Sequence, residues 1–224
     1  MGSENEKRNA AVESVKYVKD GMLVGLGSGS TAALMIEELG KKVNEGLSIK
    51  GVPSSNATAD LARKVGIPLV SLEDAGTLDI NIDGADEFDS DFQLIKGGGG
   101  ALLREKIVAH NSRYNIIIAD SAKKVERLGK FRLPIETIVF ATGNIFAELD
   151  EMGLNPVLRK KDDSIYKTDE QNYIVDIDVF GEDDLSALNN TLINIPGVVE
   201  TGLFLDSTDV IIMGKDDETL IFKK

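Results

Sequence analysis

The chain of 224 residues contains no cysteine and a single histidine, and its basic residues are outnumbered. Without cysteine, disulfides, thiol nucleophiles and thiolate metal sites are all excluded. The lack of disulfides accords with a cytoplasmic location, which is the expectation. One histidine leaves no multi-histidine metal centre and no histidine-based triad. That residue, His110, lies five positions after Glu105, roughly on the far side of a predicted helix, and reads as structural. No apolar run is long enough to span a membrane, and the polar start Gly2-Ser3-Glu4-Asn5-Glu6 does not look like a signal peptide. Lysine and arginine total 25 against 38 aspartates and glutamates, for a net charge of −13. Such a balance argues against nucleic acid as a partner and requires any anionic ligand to be met by local features. Acid–base chemistry falls to carboxylates and lysines.

A hydrophobic fraction of 42% is ample for a core. The length fits one large domain, or one domain with a smaller companion. Helical periodicity covers 5–19, with Ala11, Val15 and Val18 as its apolar stripe, then 32–42, 56–65 and 101–110. Strand-like runs fall at 22–26, 48–52, 67–72, 78–82, 92–95 and 115–119. This β/α alternation predicts an α/β fold, a Rossmann-like, mostly parallel sheet flanked by helices. From Leu133 the pattern changes to strands at 134–140, 156–160, 173–179 and 197–204 with helices at 144–152 and 183–193. The order βαββαβ predicts a second, smaller ferredoxin-like α+β domain. The expected division is an α/β catalytic domain of 1–131 and 206–224, and a ferredoxin-like domain of 132–205. Two short tail strands, 209–213 and 220–222, either return to the first domain or extend a sheet edge.

Three stretches carry chemistry. The first is Lys96-Gly97-Gly98-Gly99-Gly100, running into a helix that contains Glu105. Consecutive glycines let backbone N–H groups approach a ligand closely. The helical neighbours of Glu105 are Ala101, Leu102, Val108 and Ala109, none of them cationic. Glu105 therefore lies either buried on an apolar stripe, where a carboxylate becomes a better base, or at the solvated edge of the helix. The second stretch is Gly27-Ser28-Gly29-Ser30-Thr31 between a strand and a helix, a layout for anions. The dinucleotide pattern requires glycine where Ser30 stands, and the P-loop requires a Gly-Lys pair that is absent. A small phosphate monoester fits better; the other reading is a helix cap by Ser30 or Thr31 without a ligand. The third is Asp83-Gly84-Ala85-Asp86-Glu87 at the end of a strand, where open α/β sheets place ligands. The run on through Asp89 and Asp91 lacks the order of a calcium loop. It reads as a magnesium site or as a solvated acidic turn, the latter suiting Asp89 and Asp91. Lys7 either reaches over the sheet edge or is solvated, and Lys123 follows the strand at 115–119.

These blocks, together with Leu103-Arg104-Glu105-Lys106 and the segment from Ile195 through Pro196-Gly197 to Phe204, resemble type A ribose-5-phosphate isomerases along nearly the whole chain. The resemblance implies interconversion of D-ribose 5-phosphate and D-ribulose 5-phosphate without a metal or organic cofactor, by an enzyme that forms homodimers or homotetramers. It puts the base on Glu105, the motif aspartates on Asp83 and Asp86, and the motif lysine on Lys96. Substrate-binding positions fall on Ser28, Gly29, Ser30 and Thr31, on Gly84 and Ala85, on Gly97, Gly98 and Gly99, and on Lys7 and Lys123. Two departures are visible: Ser28 stands where threonine is common, keeping the hydroxyl, and Gly100 where alanine is common, which should loosen the loop. Competing readings are an amino-sugar-phosphate deaminase, a coenzyme A transferase, or a sugar-phosphate sensor without turnover. A cofactor-free isomerase keeps full activity after exhaustive chelation. Loss of activity that magnesium restores would revive the metal reading of Asp83 and Asp86.

Overall fold

The computed structural model describes residues 2–224, with side chains from Ser3 onward. In chain order the elements are α1 (Gly2–Val15), β1 (Leu23–Leu26), α2 (Ser30–Asn44), β2 (Lys50–Pro53), α3 (Asn56–Lys64), α4 (Leu72–Ala75) and β3 (Ile80–Gly84). Next come β4 (Glu87–Phe88), β5 (Leu94–Ile95), α5 (Leu102–His110), β6 (Asn115–Asp120), β7 (Leu133–Thr137), α6 (Thr142–Glu151) and β8 (Val157–Leu158). The remainder are β9 (Lys160–Lys161), β10 (Ser164–Ile165), β11 (Tyr173–Ile177), α7 (Leu185–Ile193), β12 (Val198–Thr201), β13 (Leu203–Phe204), β14 (Val210–Lys215) and β15 (Glu218–Lys223). The chain forms two compact units, one of residues 1–85, 104–124 and 206–224, the other of 86–103 and 125–205.

The first unit is built on a six-stranded sheet ordered β15-β14-β6-β3-β1-β2. All its pairings are parallel except β14 with β15. Every residue of β6 is buried, as expected of a central parallel strand covered on both faces. The two faces differ chemically. On one, Ile80, Ile82, Ile116 and Ile118 join Ala10, Ala11, Met35, Ile36 and Leu39 of α1 and α2 in an apolar core. The alternate residues Asn81, Asp83 and Asn115, also buried, point to the other face. There the Asn81 amide donates to Asn115 Oδ1 at 3.0 Å, and Asn115 donates to the Ala109 carbonyl of α5 at 3.1 Å. A buried polar strip under one helix costs desolvation, and these bonds offset it. Both readings of the tail hold: β14 joins the main sheet beside β6, and β15 forms its edge.

The second unit carries a four-stranded antiparallel sheet ordered β12-β7-β11-β8, the strand order of a ferredoxin-like βαββαβ unit. Ile145 and Leu149 of α6 and Leu188 and Leu192 of α7 pack with Leu133, Ile135, Val175 and Ile177 of the sheet. A three-stranded sheet, β13-β5-β4, completes the unit. Glu87 of β4 is buried and accepts from the N–H groups of Gly129 (2.8 Å) and Phe131 (2.6 Å), fixing the approach to β7.

The run at 67–72 is not a strand. It makes one bridge, Gly51 to Leu69, and then Ser71 caps the short helix α4 by accepting from Asp74 N–H at 3.1 Å. A serine cap with Glu73 and Asp74 in the first turn outweighs a short apolar run. The strand expected over 134–140 stops at Thr137, because Ala141 and Thr142 begin α6. The strand expected over 156–160 ends at Leu158, and the β9–β10 hairpin follows. Its turn uses Asp162 at φ 54, a left-handed conformation that aspartate tolerates.

Glu136, in the middle of β7 and 1% exposed, accepts from Thr168 Oγ1 at 2.9 Å and Asn172 Nδ2 at 3.0 Å. Burial pushes its pKa above the ordinary carboxylate value, Glu170 and Glu200 add to the rise, and the two hydrogen bonds oppose it. The folded state therefore binds this proton more tightly than the unfolded chain. The resulting penalty is full above the folded pKa and is relieved as pH falls toward 4.5, the unperturbed value. Glu136→Gln removes that dependence. Urea unfolding should show the variant's stability relative to the parent falling as pH drops from about 7 to about 5. A pH-independent difference would contradict the assignment.

Candidate active site

In the first unit the site begins where β1 runs into α2. Gly27 N–H bonds to the Ile82 carbonyl at 3.0 Å, and any side chain at Gly27 would collide with the Asp83 carboxylate. This close approach lets Ser28 N–H donate to Asp83 Oδ1 at 2.9 Å, and Gly84 N–H donates to the same oxygen at 2.7 Å. The N-cap of α2 is Gly29, at φ 94, and no side chain caps the helix, so the capping reading of Ser30 and Thr31 is overturned. The first turn of α2 contains no acidic residue, which leaves its N–H groups and partial positive charge available to an anion. Gly29 and Ser30 are exposed, and Thr31 is buried.

The Ser28 hydroxyl is engaged by Ser54 Oγ (2.8 Å), Ser55 Oγ (2.9 Å) and Thr58 Oγ1 (3.2 Å). Thr58 Oγ1 also donates to the Gly27 carbonyl at 2.8 Å. This hydroxyl cluster behind the loop has one local signal, the Ser54-Ser55 pair after β2, and sequence reasoning missed it.

Helix α5 sets the place of Glu105. At its C-terminal end Asn111 O accepts from Leu78 N–H at 2.8 Å, just before β3 begins. One turn back, Val108 lies over the sheet: a Cβ at Gly25 would come within 2.7 Å of both Val108 Cγ1 and Asn81 Oδ1. Three residues further back, about 4.5 Å along the helix, is Glu105. The helix runs antiparallel to β3, where Asp83 lies about 6.6 Å beyond Asn81 on the same face. Glu105 is thus carried toward the strand end at which Asp83 meets the 27–28 loop. It is 5% exposed, which overturns the solvated-edge alternative.

Lys7 and Lys123 occupy one corner of this unit. Between them, Glu6 accepts from Ser121 N–H (3.0 Å), Ser121 Oγ (2.8 Å) and Asp216 N–H (2.9 Å), tying α1 to the segment after β6 and to the β14–β15 turn. The Asp216 and Ser121 backbone bonds hold the Glu6 carboxyl below its ordinary pKa. Lys7 Nζ lies 3.9 Å from Glu4 Oε2, and Lys123 ends a helical turn capped by Asp120. Glu6 and Ser121 carried no recognisable pattern in the sequence.

In the second unit, Asp86 N–H donates to the Ile95 carbonyl (2.9 Å), and Asp86 Oδ2 accepts from Gly98 N–H (2.7 Å). A Cβ at Gly98 would lie 2.6 Å from Asp86 Oδ1, so glycine is required for this approach. Lys96 is 3% exposed, with its backbone N–H on the Gly202 carbonyl and its ammonium 5.5 Å from the Phe204 ring centre. Gly97 and Gly100 have φ of 100 and 84, and Gly100 N–H closes the turn on the Gly97 carbonyl at 2.9 Å. A side chain at Gly100 would enter the Tyr166 ring, so the glycine fits the loop rather than loosening it. Asp89 uses its carboxylate locally, accepting from Asp91 N–H (2.9 Å) and Gln93 N–H (3.0 Å), in keeping with an acidic turn.

Carboxylates held by backbone N–H groups at the ends of parallel strands, beside an uncapped helix start, are the arrangement of an α/β protein that takes a small ligand at its strand ends. Comparison with known proteins makes this particular. The model of the family "Ribose 5-phosphate isomerase A (phosphoriboisomerase A)" matches residues 50–218. The ribose-5-phosphate isomerase A of Limosilactobacillus reuteri is 49% identical over 210 residues, covering 93% of this chain and 92% of that one. The structure of ribose 5-phosphate isomerase A from Methanocaldococcus jannaschii superimposes with a TM-score of 0.93 at 42% identity, covering 97% and 98% of the two chains. A D-ribose-5-phosphate isomerase in complex with phospho-erythronic acid gives a TM-score of 0.96 at 37% identity, with both chains fully covered. The chain belongs to the ribose 5-phosphate isomerase A family. It is an isomerase of the ribose 5-phosphate/ribulose 5-phosphate pair.

Proposed function

We propose the following roles in the interconversion of D-ribose 5-phosphate and D-ribulose 5-phosphate. The reaction moves a proton between C2 and C1 of the open-chain sugar through an enediolate, so it needs a base, a means of ring opening and donors for the developing oxyanion. Glu105 takes the C2 proton and returns it to C1. Lys96 and the 97–99 loop stabilise negative charge on O1 and O2, with the Gly98 N–H turned to the Asp86 carboxylate and the Gly99 N–H toward the sugar oxygens. Asp83 assists ring opening, and Asp86 holds or relays the hydroxyl proton. The phosphate is bound by the 28–31 loop at the start of α2, with Lys7 and Lys123 supplying cationic charge. Gly84 and Ala85 space the two aspartates, whose Cα atoms three residues apart are at most about 11 Å from each other.

The observation that carries this reading is the burial of Glu105, one turn before Val108 on a helix that packs over Asn81, which precedes Asp83 by two residues on the same face of β3. No metal or organic cofactor enters the scheme. Residues 1–131 with 206–224 act as the catalytic domain and 132–205 as the ferredoxin-like domain. The working form is a cytoplasmic homodimer or homotetramer. In the second unit Phe140 and Phe180 are 97% and 69% exposed, and burying their rings against a second copy would favour association.

Glu105→Gln keeps the shape and removes the base. The expected result is a fall in kcat of roughly 10² to 10⁴ and loss of solvent deuterium incorporation at C1. A variant with near-parental kcat would reject Glu105 as the base. Sedimentation equilibrium should give a mass of two or four chains, and a monomer at micromolar concentration would reject the assembly.

A further inference from the structure

The glycine loop is held from behind by two side chains that the mechanism does not use. Arg159 follows β8, and Tyr166 follows the β9–β10 hairpin; Tyr166 N–H donates to the Arg159 carbonyl at 3.0 Å, closing the hairpin base. The Arg159 guanidinium forms a bidentate pair with Asp176 of β11, through Nε to Oδ2 at 2.9 Å and Nη2 to Oδ1. Its remaining nitrogen, Nη1, donates to the carbonyls of Gly97 (2.7 Å) and Gly98 (3.2 Å). Tyr166 Oη donates to the carbonyl of Gly99 at 3.1 Å. Three successive loop carbonyls are thereby held on one side.

Peptide planarity turns this into a statement about donors. The carbonyl of one residue and the N–H of the next share a rigid plane and point in opposite directions. Fixing the Gly97 carbonyl aims the Gly98 N–H away from Arg159, and that N–H is the one donated to Asp86. Fixing the Gly98 carbonyl aims the Gly99 N–H the same way, and the loop's own bonds do not use it. Fixing the Gly99 carbonyl sets the Gly100 N–H, which closes the turn on Gly97. A guanidinium on the carbonyls also polarises each peptide and strengthens the N–H at its far end.

We infer that Arg159 and Tyr166 are positioning residues, which hold the 97–99 peptides so that Gly98 N–H fixes the Asp86 carboxylate and Gly99 N–H faces the reacting oxygens. This rests on the proposed role of the loop. Because Asp176 neutralises Arg159, the guanidinium acts here as a rigid fork, which a lysine does not reproduce. Burial raises the Tyr166 pKa, so the phenol stays protonated and donating at neutral pH.

Three variants separate the outcomes: Arg159→Lys, Tyr166→Phe and Gly99→Pro, each assayed for kcat and KM with ribose 5-phosphate and for thermal unfolding. Arg159→Lys should lower kcat by on the order of 10-fold to 10²-fold, the scale of a misplaced catalytic group, with KM within about twofold of the parent. Tyr166→Phe removes one hydrogen bond and keeps the ring; it should lower kcat about threefold or more with unchanged KM and Tm. Should Arg159→Lys fail to fold, Tyr166→Phe decides. Gly99→Pro deletes the N–H itself and tests the loop. Parental kcat in Gly99→Pro overturns the loop's role, whereas a low kcat there beside parental values in the other two overturns only the positioning role. A change confined to KM would also overturn it.

Discussion

The Asp83 carboxylate, buried at the end of β3 with the N–H groups of Ser28 and Gly84 on one oxygen, is the constraint on which the site depends. The Gly84 N–H belongs to the next residue, but the Ser28 N–H reaches the carboxylate only because two chain segments come unusually close. Gly27 provides that approach. The same contact sets the path by which β1 enters α2, and therefore where the helix's uncapped N–H groups point. One carboxylate thus connects the sheet, the uncapped helix start and the Asp83–Asp86 turn.

In a chain of net charge −13 that acts on a sugar phosphate, the proposed site adds peptide groups to its three lysines as sources of positive potential. The α2 start supplies a helix dipole end, and the 97–100 loop supplies single N–H donors. Neither device adds formal charge, and neither loses rotamer entropy when a ligand binds. Both need glycine at the points of closest approach, Gly27 against Asp83 and Gly98 against Asp86. The two motifs therefore share one device, a glycine that lets an aspartate reach the backbone of a neighbouring loop.

What was legible in the sequence follows from the range of the interactions. The β/α alternation, the βαββαβ unit and the glycine–carboxylate motifs depend on local pattern, and they stand out as such. The hydroxyl cluster behind Ser28 joins residues 26 to 30 positions apart, Glu6 reaches Ser121 across 115, and Arg159 reaches the glycine loop across 61 and 62. No local periodicity marks such pairs, since each partner alone reads as an ordinary polar surface residue. The errors at 67–72 and 134–140 share another origin. In both, a helix start recruited the end of an apolar run: Ser71 capped α4, and the chain turned into α6.

On the positioning role inferred for Arg159, the second unit contributes to chemistry without offering a charge to the substrate. An arginine beside a loop of backbone N–H donors would ordinarily be read as an anion ligand. Here its carboxylate partner Asp176 lies on β11, in the body of the antiparallel sheet, so the guanidinium is oriented by the sheet and electrically neutralised by it. Only Nη1 is left over, and it meets peptide carbonyls. The rigidity of the sheet passes through a two-point ion pair into a loop whose glycines, left alone, would sample many conformations. Four glycines give the loop the freedom to approach Asp86; the arginine and the tyrosine remove that freedom once the approach is made.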